Sequence, residues 1–122
     1  MKHVDQVLDY LSGDLGIHFY HIIFFFSFRD NSGWSPLHYA AFEGHGAACA
    51  ALLAAGASVD ACDNEGKSPL MLACQEGHVS VAELLMQSGA PVEQRAHDGN
   101  TALRLAAMEG HEVRKLFQLG FK

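Results

Sequence analysis

Residues 30–62 read DNSGWSPLHYAAFEGHGAACAALLAAGASVDAC, and residues 63–95 follow without a gap as DNEGKSPLMLACQEGHVSVAELLMQSGAPVEQR. A third copy starts at Ala96 with AHDGNTALRLAAMEGH. When the three copies are aligned, several columns hold the same residue type at an interval of 33 residues. Four such columns are the glycines Gly33, Gly66 and Gly99; the leucines Leu37, Leu70 and Leu103; the alanines Ala40, Ala73 and Ala106; and the histidines His45, His78 and His111. Repetition of this kind predicts a solenoid, in which small structural units stack one after another.

Each copy carries the signals of a turn followed by two short helices. The opening Asp-Asn-x-Gly or His-Asp-Gly favours a turn in which glycine supplies the positive φ. A capping residue and a proline then start the first helix, at Ser35-Pro36, Ser68-Pro69 and, without the proline, Thr101. A glycine ends that helix at Gly44, Gly77 or Gly110. The second helix contains the pair Leu52-Leu53 or Leu84-Leu85 and ends at Gly56-Ala57 or Gly89-Ala90.

A turn and two short helices cannot enclose a core, so the leucine and alanine faces must be buried by stacking neighbours. The stretch Ser-Pro-Leu-His-Tyr-Ala-Ala, with Glu-Gly-His downstream, resembles the signature of the ankyrin-repeat family. The resemblance covers Asp30 to about Gly120. Within the family, these repeats are most similar to those of large animal scaffold proteins. It implies an all-α fold, an ankyrin-repeat solenoid of stacked helix-turn-helix units with β-turn fingers.

The repeat pattern divides the chain into four parts. Residues 1–29 contain a predicted amphipathic helix, Val4 to Leu11, and an apolar insert, Ile17 to Phe28, which together resemble a degenerate partial repeat. Residues 30–62 and 63–95 are full repeats, and residues 96–122 form a third repeat that is shortened near Gly120. The third repeat lacks the polar outer face that solenoid ends require. Two full repeats and a shortened third are a marginal number, because about three or more are generally needed for stability. We therefore expect either a fragment or isoform of a longer ankyrin scaffold protein, or a weakly stable protein that needs a partner.

Charge and cysteine content narrow the class of protein. A formal net charge of −6 with only 8 scattered Lys and Arg argues against nucleic acid, because phosphate binding depends on clustered cations. Three cysteines without a CxxC pair indicate reduced thiols, as in a cytoplasmic or nuclear protein. The Ile17–Phe28 run is shorter than the roughly 20 residues that a helix needs to cross a bilayer. Two interpretations of it stay open: a cap over the first repeat, or an exposed patch that contacts a membrane or promotes aggregation.

The chain contains no recognisable catalytic or cofactor motif, so we expect no enzymatic activity, no cofactor and no metal. The histidine column is predicted to be structural, since the family uses this residue to steady the loop between repeats. Gly66-Lys67-Ser68 resembles the end of a phosphate-binding loop, but Ala61 stands where that motif requires glycine. Asp60, Asp63 and Glu65 lack the ligand spacing of a calcium loop and are interpreted as turn and cap residues.

The function that the resemblance implies is binding of a protein partner through the concave ankyrin face, as an adaptor or scaffold. The alternative is a membrane-associated regulatory isoform, or a fragment of a larger multidomain protein. In this family, partners contact turn tips and the exposed edge of the first helix. Carried over position by position, those sites are Asn31, Ser32, Trp34, Phe42 and Glu43, then Asn64, Glu65, Lys67, Gln75 and Glu76, then His97, Asp98, Asn100, Met108 and Glu109. Among them, Trp34 and Phe42 are the aromatic residues most typical of interface hot spots.

Overall fold

The computed structural model describes residues 29–110 together with residues 112 and 115. These residues form five helices and no strand: α1 (Pro36–Glu43), α2 (Gly46–Ala54), α3 (Pro69–Glu76), α4 (Val79–Gln87) and α5 (Ala102–Glu109). The all-α prediction is therefore confirmed. The predicted helix Val4–Leu11, the insert Ile17–Phe28 and the shortened end of the third repeat lie outside the described residues.

The first helix of each repeat begins and ends at the predicted residues. Ser35, Ser68 and Thr101 each accept a hydrogen bond from the backbone N–H three residues later, which satisfies one of the unpaired donors of the first turn. The helices end at glycines with left-handed φ values of 75°, 77° and 69°, at Gly44, Gly77 and Gly110. A side chain at Gly44 would also meet the ring of His78, because its Cβ would lie 2.7 Å from the imidazole Nδ1.

The helices pack in two rows. The first helices stack side by side in the order α1, α3, α5, and α2 packs against α4 behind them. The residues of the repeating columns fill the space between the rows, and Leu37, Leu52, Leu70 and Leu85 are at most 1% exposed. Alanines at the contact points, Ala40, Ala73 and Ala106, let the backbones approach closely. The stacking thus buries the faces that a single repeat leaves open.

His38 is a polar residue inside this core. The Ser35 backbone N–H donates to His38 Nδ1 over 3.1 Å, so the ring proton is on Nε2, which donates to the Lys67 carbonyl over 2.9 Å. The side chain is completely buried, and burial lowers its pKa below the ordinary value, against smaller opposing effects from the Lys67 carbonyl and Asp63. The neutral imidazole therefore joins the cap of α1 to the second turn.

We expect stability to fall with acidity in part because of His38. Its pKa is lower in the folded state than in the unfolded state, so the unfolded chain binds the proton first as the pH decreases. Stability contributed by the neutral ring is present above about pH 6.5 and is lost as the pH falls below it. The second repeat has Met71 at this position, so His38→Met is a natural control. Thermal melts at about pH 7.5 and about pH 5.5 should show a smaller loss in His38→Met than in the wild type. Equal losses would contradict the assignment.

Within the described residues, no helix combines the length and the apolar composition that spanning a bilayer requires.

Candidate protein-interaction surface

The turns form a row of fingers that are tied to one another. Each finger is closed by its own backbone bonds, and Gly33 has a φ of 81° that the tight turn requires. The Asn64 N–H donates to the Ser32 carbonyl, and the His97 N–H donates to the Glu65 carbonyl, both over 2.9 Å. Equivalent positions in successive repeats therefore lie next to each other along the row.

The residues predicted to contact a partner are all accessible to solvent. None of the fifteen predicted contact residues is buried, and His97 is exposed. The other fourteen fall into two groups. Nine are exposed: Asn31, Ser32, Glu43, Asn64, Glu65, Glu76, Asp98, Met108 and Glu109. Five are half-buried: Trp34, Phe42, Lys67, Gln75 and Asn100. Met108 is the most exposed large apolar side chain among the described residues, at 64%.

Trp34 is only half-buried, yet it is firmly held. Its indole N–H donates to the Asp63 carboxylate over 2.9 Å, which links the first finger to the second. Its ring lies 4.9 Å from the Tyr39 ring in an edge-to-face arrangement and 5.2 Å from the Phe42 ring, measured between centroids. Because the Tyr39 and Phe42 rings both pack against the Trp34 ring, the three side chains form one continuous apolar patch. Trp34 has a structural role in addition to the predicted binding role.

Asp63, which the sequence pattern predicts to be a turn and cap residue, also binds Trp34, and the pattern gave no prediction of that link. The Asp63 carboxylate accepts the backbone N–H groups of Glu65 and Lys67 over 2.9 and 2.8 Å besides the indole N–H, and only 7% of the residue is exposed. Asp30 holds the first turn in the same way, by accepting the N–H groups of Ser32 and Trp34. A signal did exist, since a tryptophan N–H near a core needs an acceptor and aspartate recurs at this column.

The structural interpretation of the histidine column is confirmed at His78. Its Nε2 donates to the Phe42 carbonyl over 2.8 Å, across the boundary between the first and second repeats. His111 lies outside the described residues. Within residues 29–110, no group of three or more histidine, cysteine and acidic side chains could hold a metal ion.

The cysteines of the described part are of two kinds. Cys49 and Cys74 are buried in the core, and burial raises the pKa of each thiol to about 12. Because the thiolate is the nucleophilic form, these two side chains are chemically inert near neutral pH. Cys62 is exposed at the junction of the first two repeats.

The exposed edge is acidic. Glu43, Glu76 and Glu109 occupy the same position at the end of three successive first helices, and all three are exposed. The cation of the predicted set, Lys67, is mostly covered, with its side chain 18% exposed, and its ammonium donates to the Gln75 side-chain oxygen over 3.1 Å. Within the predicted set, the exposed carboxylates therefore outnumber the single lysine, whose ammonium also lies 3.9 Å from the Glu65 carboxylate.

Two family models match the chain. One, described as ankyrin repeats (3 copies), matches residues 48–121, and the other, described as an ankyrin repeat, matches residues 32–61. None of the curated proteins compared with the chain matches it.

Proposed function

The chain belongs to the ankyrin-repeat family, whose members are generally protein–protein interaction modules, and on that premise we propose that it is a non-enzymatic adaptor or scaffold. It binds a protein partner through the fingers and the exposed edges of the first helices, on the concave side of the array. Three cysteines without a disulfide between them and a net charge of −6 suit the cytoplasm, or the nucleus, as its compartment.

One contrast supports the proposal most strongly. Leu37 and Leu70, which are identical in the two full repeats, are buried and hold the stack together. Phe42 and Gln75, which occupy one position but differ between those repeats, are partly accessible to solvent. A rigid surface whose exposed residues are independent of its packing can bind a partner with little ordering cost.

The charge of the edge favours a basic segment in that partner. A lysine- or arginine-rich stretch would meet the row of Glu43, Glu76 and Glu109, and its apolar residues would meet the patch around Phe42 or Met108. Complementary charge of this kind mainly raises the association rate and the selectivity, and salt weakens it.

Affinity capture with a neutralised edge tests this function. The chain is immobilised, and proteins bound from a cell lysate are quantified by mass spectrometry for the wild type and for the triple variant Glu43→Gln, Glu76→Gln, Glu109→Gln. We expect proteins enriched by the wild type to fall about tenfold or more with the triple variant, since each lost ion pair contributes up to about 1 kcal/mol. Circular dichroism should show unchanged helix content, because all three side chains are exposed.

A matched control removes three carboxylates elsewhere. Asp60→Asn, Glu83→Gln and Glu93→Gln change the net charge equally at positions outside the predicted edge. This variant should capture the same proteins as the wild type. If the two triple variants behave alike, or if the wild type enriches nothing, the proposed surface is wrong.

The rival function, a membrane-associated regulatory isoform, depends on Ile17–Phe28. That run lies outside the described residues, and no observation on the described part of the chain favours the rival.

A further inference from the structure

The exposed edge presents the same pair of positions once in each repeat. The last two residues of α1, α3 and α5 are Phe42-Glu43, Gln75-Glu76 and Met108-Glu109. All six are accessible to solvent, and the three glutamates are exposed. Glu76, the middle glutamate, has described repeats on both sides, since α3 packs against α1 and against α5. The edge therefore carries a row of carboxylates, one in each repeat, beside a second row in which two of the three side chains are apolar.

The packing of the helices determines the interval between these carboxylates. The helices α1, α3 and α5 lie side by side, and packed helices have axes about 8–10 Å apart. Ala40 and Ala73 are at most 1% exposed, and such small side chains allow a close approach. Glutamates at equivalent positions of neighbouring helices are therefore also about 8–10 Å apart.

A segment that meets every carboxylate needs cations at the same interval and on one side of its own chain. In a polyproline II helix, every third residue returns to the same side after about 9.3 Å, which lies within the required interval. In an α-helix the seventh residue comes closest, but it advances about 10.5 Å and is rotated by about 20° at each step. In a β-strand, residues on one side are separated by about 7 Å or about 13 Å. The polyproline II conformation therefore matches the row best.

We propose that this edge binds a proline-rich segment, in the polyproline II conformation, that has an arginine or lysine at every third residue. The inference rests on the proposed function and gives the chemistry of the partner segment. Each cation lies against one glutamate of the row, and the prolines between the cations lie against the neighbouring row. In that row the Phe42 ring packs against the Trp34 ring, with 5.2 Å between centroids. Aromatic side chains are the surfaces on which proline-rich segments of this conformation usually bind.

The middle carboxylate is held in place before a partner binds. Gln75 Nε2 donates to Glu76 Oε2 over 3.1 Å, and Lys67 Nζ donates to Gln75 Oε1 over the same distance. The Lys67 ammonium also lies 3.9 Å from a Glu65 oxygen, so part of its charge is balanced within the surface. A carboxylate accepts several hydrogen bonds, and Glu76 can therefore bind a cation in addition to Gln75. Because a polyproline II segment is already extended, little conformational freedom is lost on either side.

Fluorescence anisotropy with two labelled peptides tests the spacing. The probe is a twelve-residue peptide of three arginines and nine prolines, with the arginines three residues apart. The control peptide has the same composition with the arginines four residues apart, so that successive cations point to different sides of the helix. We expect the full chain to bind the probe at least about fivefold more tightly than the control at low salt. The probe meets several glutamates at once, and each exposed ion pair contributes up to about fivefold in affinity.

A single substitution in the middle of the row tests the site itself. Glu76→Gln should weaken binding of the probe by about two- to fivefold, the contribution of one exposed ion pair. The control peptide should lose less, because its one aligned cation can use either of the other glutamates. Glu93→Gln makes the same chemical change at an exposed position of the same repeat, outside the edge, and should bind both peptides like the wild type. Circular dichroism should show the same helix content in both variants.

Three results would overturn the proposal. They are equal affinities for the two peptides, a Glu76→Gln variant that binds the probe as tightly as the wild type, and tighter binding of a helical peptide whose arginines are seven residues apart. The lysate capture with the two triple variants separates this failure from a failure of the proposed function. If capture still depends on the glutamate row while the probe has no advantage over the control, the edge binds a partner of another conformation. If capture fails as well, the proposed function is also wrong.

Discussion

Leu70→Ala is expected to destabilise the chain by about 3 kcal/mol, because the substitution leaves a cavity between stacked repeats. Leu70 is 0% exposed and lies in the middle first helix, α3, which packs against both α1 and α5. A small domain loses roughly 4–8 °C of melting temperature per kcal/mol, so Tm should fall by more than about 10 °C. Chemical denaturation followed by circular dichroism measures the change in the free energy of unfolding.

The repeat itself supplies the control for this prediction. Leu103→Ala makes the same change at the equivalent position of the third repeat, where the side chain is 44% exposed. We expect a cost below about 1 kcal/mol there, because a partly exposed side chain loses less contact area. Similar losses for both variants would mean that the stack does not bury Leu70 as described.

Local sequence signals were enough to predict the helices of the described part. Ser68-Pro69 starts α3 and Gly77 ends it, because capping and left-handed φ are properties of one or two residues. The burial of the repeating leucines followed from the period, since each unit needs a neighbour to cover it. Leu37 and Leu70 occupy the same position in their repeats, so one prediction of burial was correct for both.

Contacts that differ between repeats were beyond that argument. The hydrogen bond from Trp34 to Asp63 joins residues 29 positions apart, and its equivalent in the next pair of repeats would join Lys67 to Ala96. Periodicity predicts what the copies share, so it is silent about a bond that only one pair of copies can make. The exposure of Leu103 was missed for a related reason. A repeated leucine looks the same in every copy of the sequence, although the residues that pack against it differ from one repeat to the next.

Asp63→Ala is the second substitution with a large expected effect, about 3 kcal/mol. The substitution removes a carboxylate that accepts two backbone N–H groups and the Trp34 indole N–H, at a residue that is only 7% exposed. Each hydrogen bond to a charged group contributes about 1.5–3 kcal/mol, and water replaces part of that loss. Trp34 is the single tryptophan of the chain, so its fluorescence reports on this bond directly. We expect its emission to move to longer wavelength before unfolding begins.

Asp60→Ala tests whether charge alone explains that loss. Asp60 is exposed, accepts a hydrogen bond from the Ser58 hydroxyl, and lies three positions before Asp63. Its removal should leave both stability and tryptophan emission almost unchanged. In a Trp34→Phe background, Asp63→Ala should cost about 1 kcal/mol less than in the wild type, because the indole bond is already absent. An identical cost in both backgrounds would show that Asp63 stabilises only its own turn and does not hold the two fingers together.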